Sequence, residues 1–201
     1  MIMYKDEKTV LFDGTDLSKW TNLKGEPAEW EVKDGVMTVI PKSGNIITKE
    51  EFGDALYHIE FCVPDIPGAQ GQDKGNSGVF IQGRYEIQIL DSYGMPAAEY
   101  ECGGLYGMKD PRVNASLPAG EWQTFDIVFR APIVNEKGDV DAIGRLTVIH
   151  NGIVIHNNIP LAAIGGGSID NNQTRHVNYG PLMLQDHHCP VSFRNIYVIK
   201  L

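Results

Sequence analysis

Alternation of apolar and polar residues dominates this chain, and it is densest between positions 81 and 91. Ile81, Tyr85, Ile87 and Ile89 fall on one face of an extended strand, and Gln82, Arg84, Glu86 and Gln88 on the other. Two amides, one base and one acid in a row exceed what a solvated face needs, and they read as the floor of a substrate groove. Asp34-Gly35 and Asn151-Gly152 each separate two short β-rich runs and predict type I′ hairpin turns. Further alternating or β-rich runs at 55–63, 77–91, 122–130 and 191–200 are divided by Gly, Pro and Asn clusters, and long helical periodicity is missing. The pattern predicts an all-β fold of two packed antiparallel sheets, a sandwich or jelly roll. The stretches 64–76 and 94–121 are too long for hairpin turns and read as functional loops bordering the groove. So does 162–179, with Gly165-Gly-Gly167 and Asn171-Asn172.

Composition narrows the function. At 201 residues with no linker-like stretch, the chain suits one β domain over 1–201. With 42% hydrophobic and 21% charged residues it is neither disordered nor built for a membrane, and no apolar run approaches a span. A formal charge of -9 argues against nucleic acid, whose phosphates call for clustered Lys and Arg, and favours neutral ligands. Cys62, Cys102 and Cys189 show no CxxC spacing, so buried free thiols are expected rather than a disulfide framework or zinc ribbon. The first residues show no basic region followed by an apolar stretch and cleavage site. That leaves a cytoplasmic protein, or a periplasmic one whose leader has been removed.

Several segments together resemble the 3-keto-disaccharide hydrolase family. They are Leu11-Phe-Asp-Gly-Thr-Asp-Leu-Ser-Lys-Trp20, the run from Asn76 to Tyr93, Cys102-Gly-Gly-Leu-Tyr-Gly107 and Gly120-Glu-Trp-Gln-Thr-Phe-Asp126. His150-Asn-Gly-Ile153, Gly180-Pro-Leu-Met-Leu-Gln-Asp-His187 and Phe193-Arg-Asn195 complete the set. His188 departs from the family, where a small residue often follows the histidine. The resemblance implies a concanavalin A-like jelly roll. It also implies action on glycosides whose carbon 3 has been oxidised to a ketone by a separate glycoside 3-dehydrogenase. The associated activities are a 1,2-lyase reaction, hydration of the resulting glucal, and the net hydrolysis that the two make together.

A ketone at carbon 3 acidifies the hydrogen on carbon 2, so a base can remove it and the enolate can expel the substituent on carbon 1. This needs a base, a donor facing the enolate oxygen, and an acid near the departing group. His187 leads as acid/base, since imidazoles ordinarily exchange protons near neutral pH and the adjacent Asp186 offers a carboxylate to orient the ring. Glu86 is the candidate for base or for polarising a hydroxyl, and Arg84 and Arg194 for holding the enolate. Asn76, Gln88 and Gln185 supply amides for sugar hydroxyls, and Tyr106 and Tyr93 supply rings for stacking, whereas Trp122 reads as core.

Asp91 would share the face of Glu86 only across a β-bulge. Even then about four strand steps of roughly 3.3 Å separate the two backbones by ~13 Å. Retaining hydrolysis needs carboxyl groups about 5 to 5.5 Å apart, which ranks it second. A noncatalytic carbohydrate-binding module is third, because this architecture serves lectins as readily as enzymes. Asp186, His187, His188 and Cys189 crowd together without the spacing of a zinc motif, so no metal or other cofactor is expected. A structural calcium is possible in such folds, but no Asp-rich loop argues for one.

Overall fold

The computed structural model describes residues 8–164, 169 and 175–201. In chain order its strands are β1 (Lys8–Phe12), β2 (Trp20–Asn22), β3 (Glu31–Lys33), β4 (Val36–Thr38), β5 (Ile46–Phe52), β6 (Ala55–Cys62), β7 (Asn76–Ile81) and β8 (Tyr85–Leu90). There follow β9 (Trp122–Arg130), β10 (Ile133–Val134), β11 (Val140–Ala142), β12 (Arg145–His150), β13 (Ile153–Pro160), β14 (Gly180–Leu184) and β15 (Ser192–Lys200). One turn of 3₁₀ helix, Gly71–Asp73, is the sole helical element among the described residues. The fold is an all-β, two-sheet antiparallel jelly-roll sandwich.

The eight-stranded sheet runs β13-β12-β9-β6-β15-β4-β3, with β1 also paired to β15. The five-stranded sheet runs β2-β5-β14-β7-β8. Between them lies a core drawn from alternate positions: Tyr57, Ile59 and Phe61 of β6 and Phe125, Ile127 and Phe129 of β9, all fully buried, face Val79, Ile87, Ile89 and Leu182 from the smaller sheet. Each such side chain removed from water contributes roughly 1.5–3 kcal/mol. The period-two burial of β6, β9 and β12 records the same alternation that the sequence displays.

Both dipeptide turns form. Lys33 pairs with Val36 around Asp34 (φ 53) and Gly35 (φ 80), and His150 pairs with Ile153 around Asn151 (φ 51) and Gly152 (φ 80), the positive-φ pairs of type I′ turns. The run 77–91, however, is two strands and not one. Ile81 pairs with Tyr85 around a turn at Gln82 (φ 54) and Gly83 (φ 65), closed by the Arg84 N–H donating to the Ile81 carbonyl at 3.0 Å. Glutamine seldom adopts a left-handed backbone. Here its buried amide group donates to the Phe52 and Asn178 carbonyls, both at 3.2 Å, and holds the turn. Gln82 and Arg84 therefore do not continue the polar row of Glu86 and Gln88.

The three cysteines are free thiols, Cys102 and Cys189 buried and Cys62 half-buried. Residues 165–168 and 170–174, with the Gly165-Gly-Gly167 and Asn171-Asn172 segments, lie outside the described residues.

Candidate active site

Strands β7 and β8 pair without interruption from Asn76↔Leu90 to Ile81↔Tyr85, placing Gly78 opposite Gln88 and Phe80 opposite Glu86. Because Val79, Ile87 and Ile89 point into the core, Asn76, Gly78, Glu86 and Gln88 take the outer face of the smaller sheet. Just past the end of β14, the Gln185 N–H donates to the Gly78 carbonyl at 3.0 Å, and Ser77 Oγ donates to the Gln185 carbonyl at 2.7 Å. Gln88, Gly78 and Gln185 thus line up across three neighbouring segments of the smaller sheet.

A cavity of about 260 Å³ opens on this row, lined by Gln72, Asn76, Glu86, Gln88, Tyr106, Gln185 and His187. Gln72 comes from the loop 64–76 and Tyr106 from the loop 94–121, so both long loops border it. The second loop also covers the free edge of β8: the Gln88 N–H donates to the Gly104 carbonyl at 2.9 Å, and the Gly103 and Tyr106 N–H groups donate to the Gln88 and Glu86 carbonyls. A larger hollow of about 570 Å³ lies elsewhere, beside β10, but its Asp54 carboxylate is committed to Arg130 and the Ala131 N–H. The smaller cavity is the one that joins a buried carboxyl, an imidazole and several amides.

Glu86 is 5% exposed, and burial pushes its carboxyl from the ordinary 4.5 up to about 8. No side-chain hydrogen bond offsets that penalty among the described residues, so the group is neutral at pH 7 and has a proton to give. Its position depends on a missing side chain: a Cβ placed on Gly78 would lie 2.5 Å from Glu86 Oε1 and 3.3 Å from its Cδ. Gly78 is the seat of the carboxyl. Around it the amides form a relay in which Gln72 Oε1 accepts from Gln88 Nε2 at 2.9 Å and from Asn76 Nδ2 at 3.1 Å. Gln88 Oε1 and Gln185 Oε1 are buried without hydrogen-bond partners among the described residues.

The family profile of the 3-keto-alpha-glucoside-1,2-lyase-like domain matches residues 7–199. The chain belongs to this family. Among solved structures, a provisionally assigned glycosyl hydrolase from Parabacteroides distasonis ATCC 8503 superposes with a TM-score of 0.88 at 41% identity, over 98% of this chain and 84% of that one. A second such protein from the same organism gives 0.68 at 18% identity over 100% and 98% of the two chains, a likeness of fold alone. A β-1,3-1,4-glucanase (lichenase) derived from a mouse hindgut metagenome gives 0.52 at 11% identity over 96% and 98%, again of fold alone. No match was found among curated proteins.

In this 3-keto-α-glucoside-1,2-lyase-like domain the fold gathers Asn76, Glu86, Gln88, Tyr106, Gln185 and His187 at one cavity and sends three other candidates elsewhere. Arg84, in the hairpin turn, donates from Nε to the Arg175 carbonyl at 2.8 Å and from Nη1 to the Gln82 carbonyl at 2.8 Å, and lines a separate hollow with Lys49, Glu51 and Pro181. Arg194 belongs to the other sheet, where its Nε lies 2.6 Å from Glu60 Oε2 and its guanidinium 4.0 Å above the Trp122 ring. Trp122 therefore faces outward and is not core. Asp91 follows β8 with no bulge before it. Its carboxylate meets Lys74 Nζ at 3.1 Å, away from the cavity lining.

Asp186 does not orient His187. Its carboxylate accepts from the Gly44 and His188 N–H groups instead. Gln72 and Gly78 were missed by reading for reactive side chains. The loop around Gln72 has no periodicity to mark it, but a glycine inside a strand signals close approach by another group, and Gly78 carried that signal.

Proposed function

We propose that this domain is a carbohydrate-active enzyme that cleaves 3-keto-glucosides by removing the hydrogen on carbon 2 and eliminating across carbons 1 and 2. Family membership supports the substrate class. The observation that carries the reaction is the buried, neutral Glu86 carboxyl sharing one small cavity with His187. At about 260 Å³ the cavity sits at the low end of ligand sites and suits one sugar ring.

His187 takes the hydrogen from carbon 2 as a proton, and the electron pair of that bond delocalises onto the carbon 3 oxygen. Glu86, held neutral by burial, donates a hydrogen bond to that oxygen as charge develops, a role a carboxylate could not fill. With both arginines elsewhere, the Glu86 carboxyl is the strongest donor on the lining. As the enolate collapses back to the ketone, a carbon 1–carbon 2 double bond forms, the carbon 1–oxygen bond breaks, and the departing oxygen takes the proton that the His187 imidazolium now holds. Water adding across that double bond completes hydrolysis. A separate dehydrogenase supplies the ketone. Ordinary retaining hydrolysis ranks lower because Glu86 is the single carboxyl among the described lining residues and Asp91 is paired with Lys74.

Incubating the purified protein with a 3-keto-glucoside and with its unoxidised parent tests this. Turnover of the oxidised sugar alone is expected, with kcat/KM falling above about pH 8 as Glu86 ionises in the free enzyme. Glu86→Gln and His187→Asn should each lose roughly 10²–10³ in rate while keeping the fold. Comparable cleavage of the parent would establish the glycosidase reading instead, and turnover of neither sugar the binding-module reading.

A further inference from the structure

The amide of Gln88 is oriented by a chain of one-way hydrogen bonds. Gln72 Nε2 donates to the Tyr100 carbonyl at 2.9 Å, and a carbonyl has nothing to donate in return, so Gln72 must turn its Oε1 the other way. That oxygen meets Gln88 Nε2 at 2.9 Å and Asn76 Nδ2 at 3.1 Å, and Asn76 Nδ2 is further fixed by the Gln72 backbone carbonyl at 2.8 Å. A second, longer contact from Gln88 Nε2 reaches Asn76 Oδ1 at 3.4 Å. Flipping Gln88 would set oxygen against oxygen. Its Oε1 is therefore a fixed acceptor, with no partner among the described residues, in a residue 1% exposed. Some other orphaned atoms, such as Gln82 Oε1, lie away from the cavity, but this one belongs to a residue on the cavity lining, where a group arriving with the ligand can satisfy it.

Glu86 stands two residues away on the same strand face, about 6.6 Å along the backbone. The Gly78 gap closes that separation. The Glu86 carboxyl leans over Gly78, the cross-strand partner of Gln88, and so lies beside Gln88. Glu86 and Gln88, a donor and an acceptor, are therefore neighbours on the cavity lining.

We propose that Glu86 and Gln88 together read an α-hydroxy ketone, the Glu86 carboxyl donating to the ketone oxygen and Gln88 Oε1 accepting from the hydroxyl on an adjoining carbon. Gln72 is the positioning residue that holds the acceptor in place. This rests on the reading of Glu86 as a donor to the carbon 3 oxygen and adds that a hydroxyl on a carbon adjoining that oxygen's carbon is recognised. A 3-keto-glucoside carries such hydroxyls on carbons 2 and 4, and a substrate lacking the recognised one leaves Gln88 Oε1 unpaired in the complex. Sites built this way reject the deoxy analogue strongly.

Calorimetric titration of the His187→Asn protein, whose turnover is strongly slowed, compares a 3-keto-glucoside with its 2-deoxy and 4-deoxy analogues. One deoxy compound is expected to bind about 100-fold more weakly. Adding Gln88→Leu or Gln72→Ala should shrink that gap to a few-fold, whereas a merely structural role would weaken all three ligands alike. If Gln88→Leu fails to fold, Gln72→Ala reads the same ratio. Equal binding of the three sugars, a gap that survives both substitutions, or no binding at all overturns the proposal. A gap in the His187→Asn titration together with no turnover by the wild-type protein supports the recognition and removes the elimination chemistry. Turnover without a gap does the reverse.

Discussion

Glu86 shows how far one residue can be read from its letter and where the reading stops. Alternation placed it on a polar face, but its burial and the resulting pKa near 8 come from loops that no strand pattern contains. The same shift makes Glu86 a cost to the fold. Between about pH 4.5 and 8 the unfolded chain has released a proton that the folded chain keeps, so stability declines as pH rises across that window. Glu86→Gln removes the penalty. The variant should unfold at higher denaturant than the wild type, by an excess that is small at pH 4.5, grows to a few kcal/mol and levels off above pH 8. Urea titrations at intervals across that range measure it. An excess that does not change with pH would mean that the carboxyl is not buried as described.

The β7–β8 hairpin is the element on which the site is built. Its polar row was legible as far as Glu86 and Gln88, but the turn at Gln82-Gly83 was not, because glutamine gives no hint of a left-handed backbone when its stabilising partners, Phe52 and Asn178, are far away in sequence. The Asp34-Gly35 and Asn151-Gly152 turns were legible because their own residues favour positive φ. Within the hairpin, β7 gives up a side chain at Gly78 so that β8 can lay a carboxyl there. Gly78→Ala is expected to push the far end of Glu86 aside, costing roughly 1–3 kcal/mol of stability and about 100-fold in turnover of a 3-keto-glucoside. Thermal melts and steady-state rates on the one variant separate these effects, and unchanged turnover would show that the carboxyl does not need its seat.

Across the whole molecule, alternation says which face of a strand a residue takes but not which sheet the strand joins. Arg194 takes an outward position on its strand as Glu86 does on its own, yet β15 lies in the larger sheet, and there Arg194 meets Glu60 and Trp122 on a separate surface. His187 reached the cavity because β14 lies beside β7, a neighbourhood set by pairing over about a hundred residues of sequence. The sandwich thus brings one buried acid and one imidazole to one cavity, and the proposed elimination turns on carbon 2. Cleavage of a 3-keto-glucoside deuterated at that carbon measures it directly. A primary isotope effect on turnover is predicted, with solvent hydrogen in place of the deuterium in the hydrated product. Cleavage at the undeuterated rate with the deuterium kept at carbon 2 would contradict it.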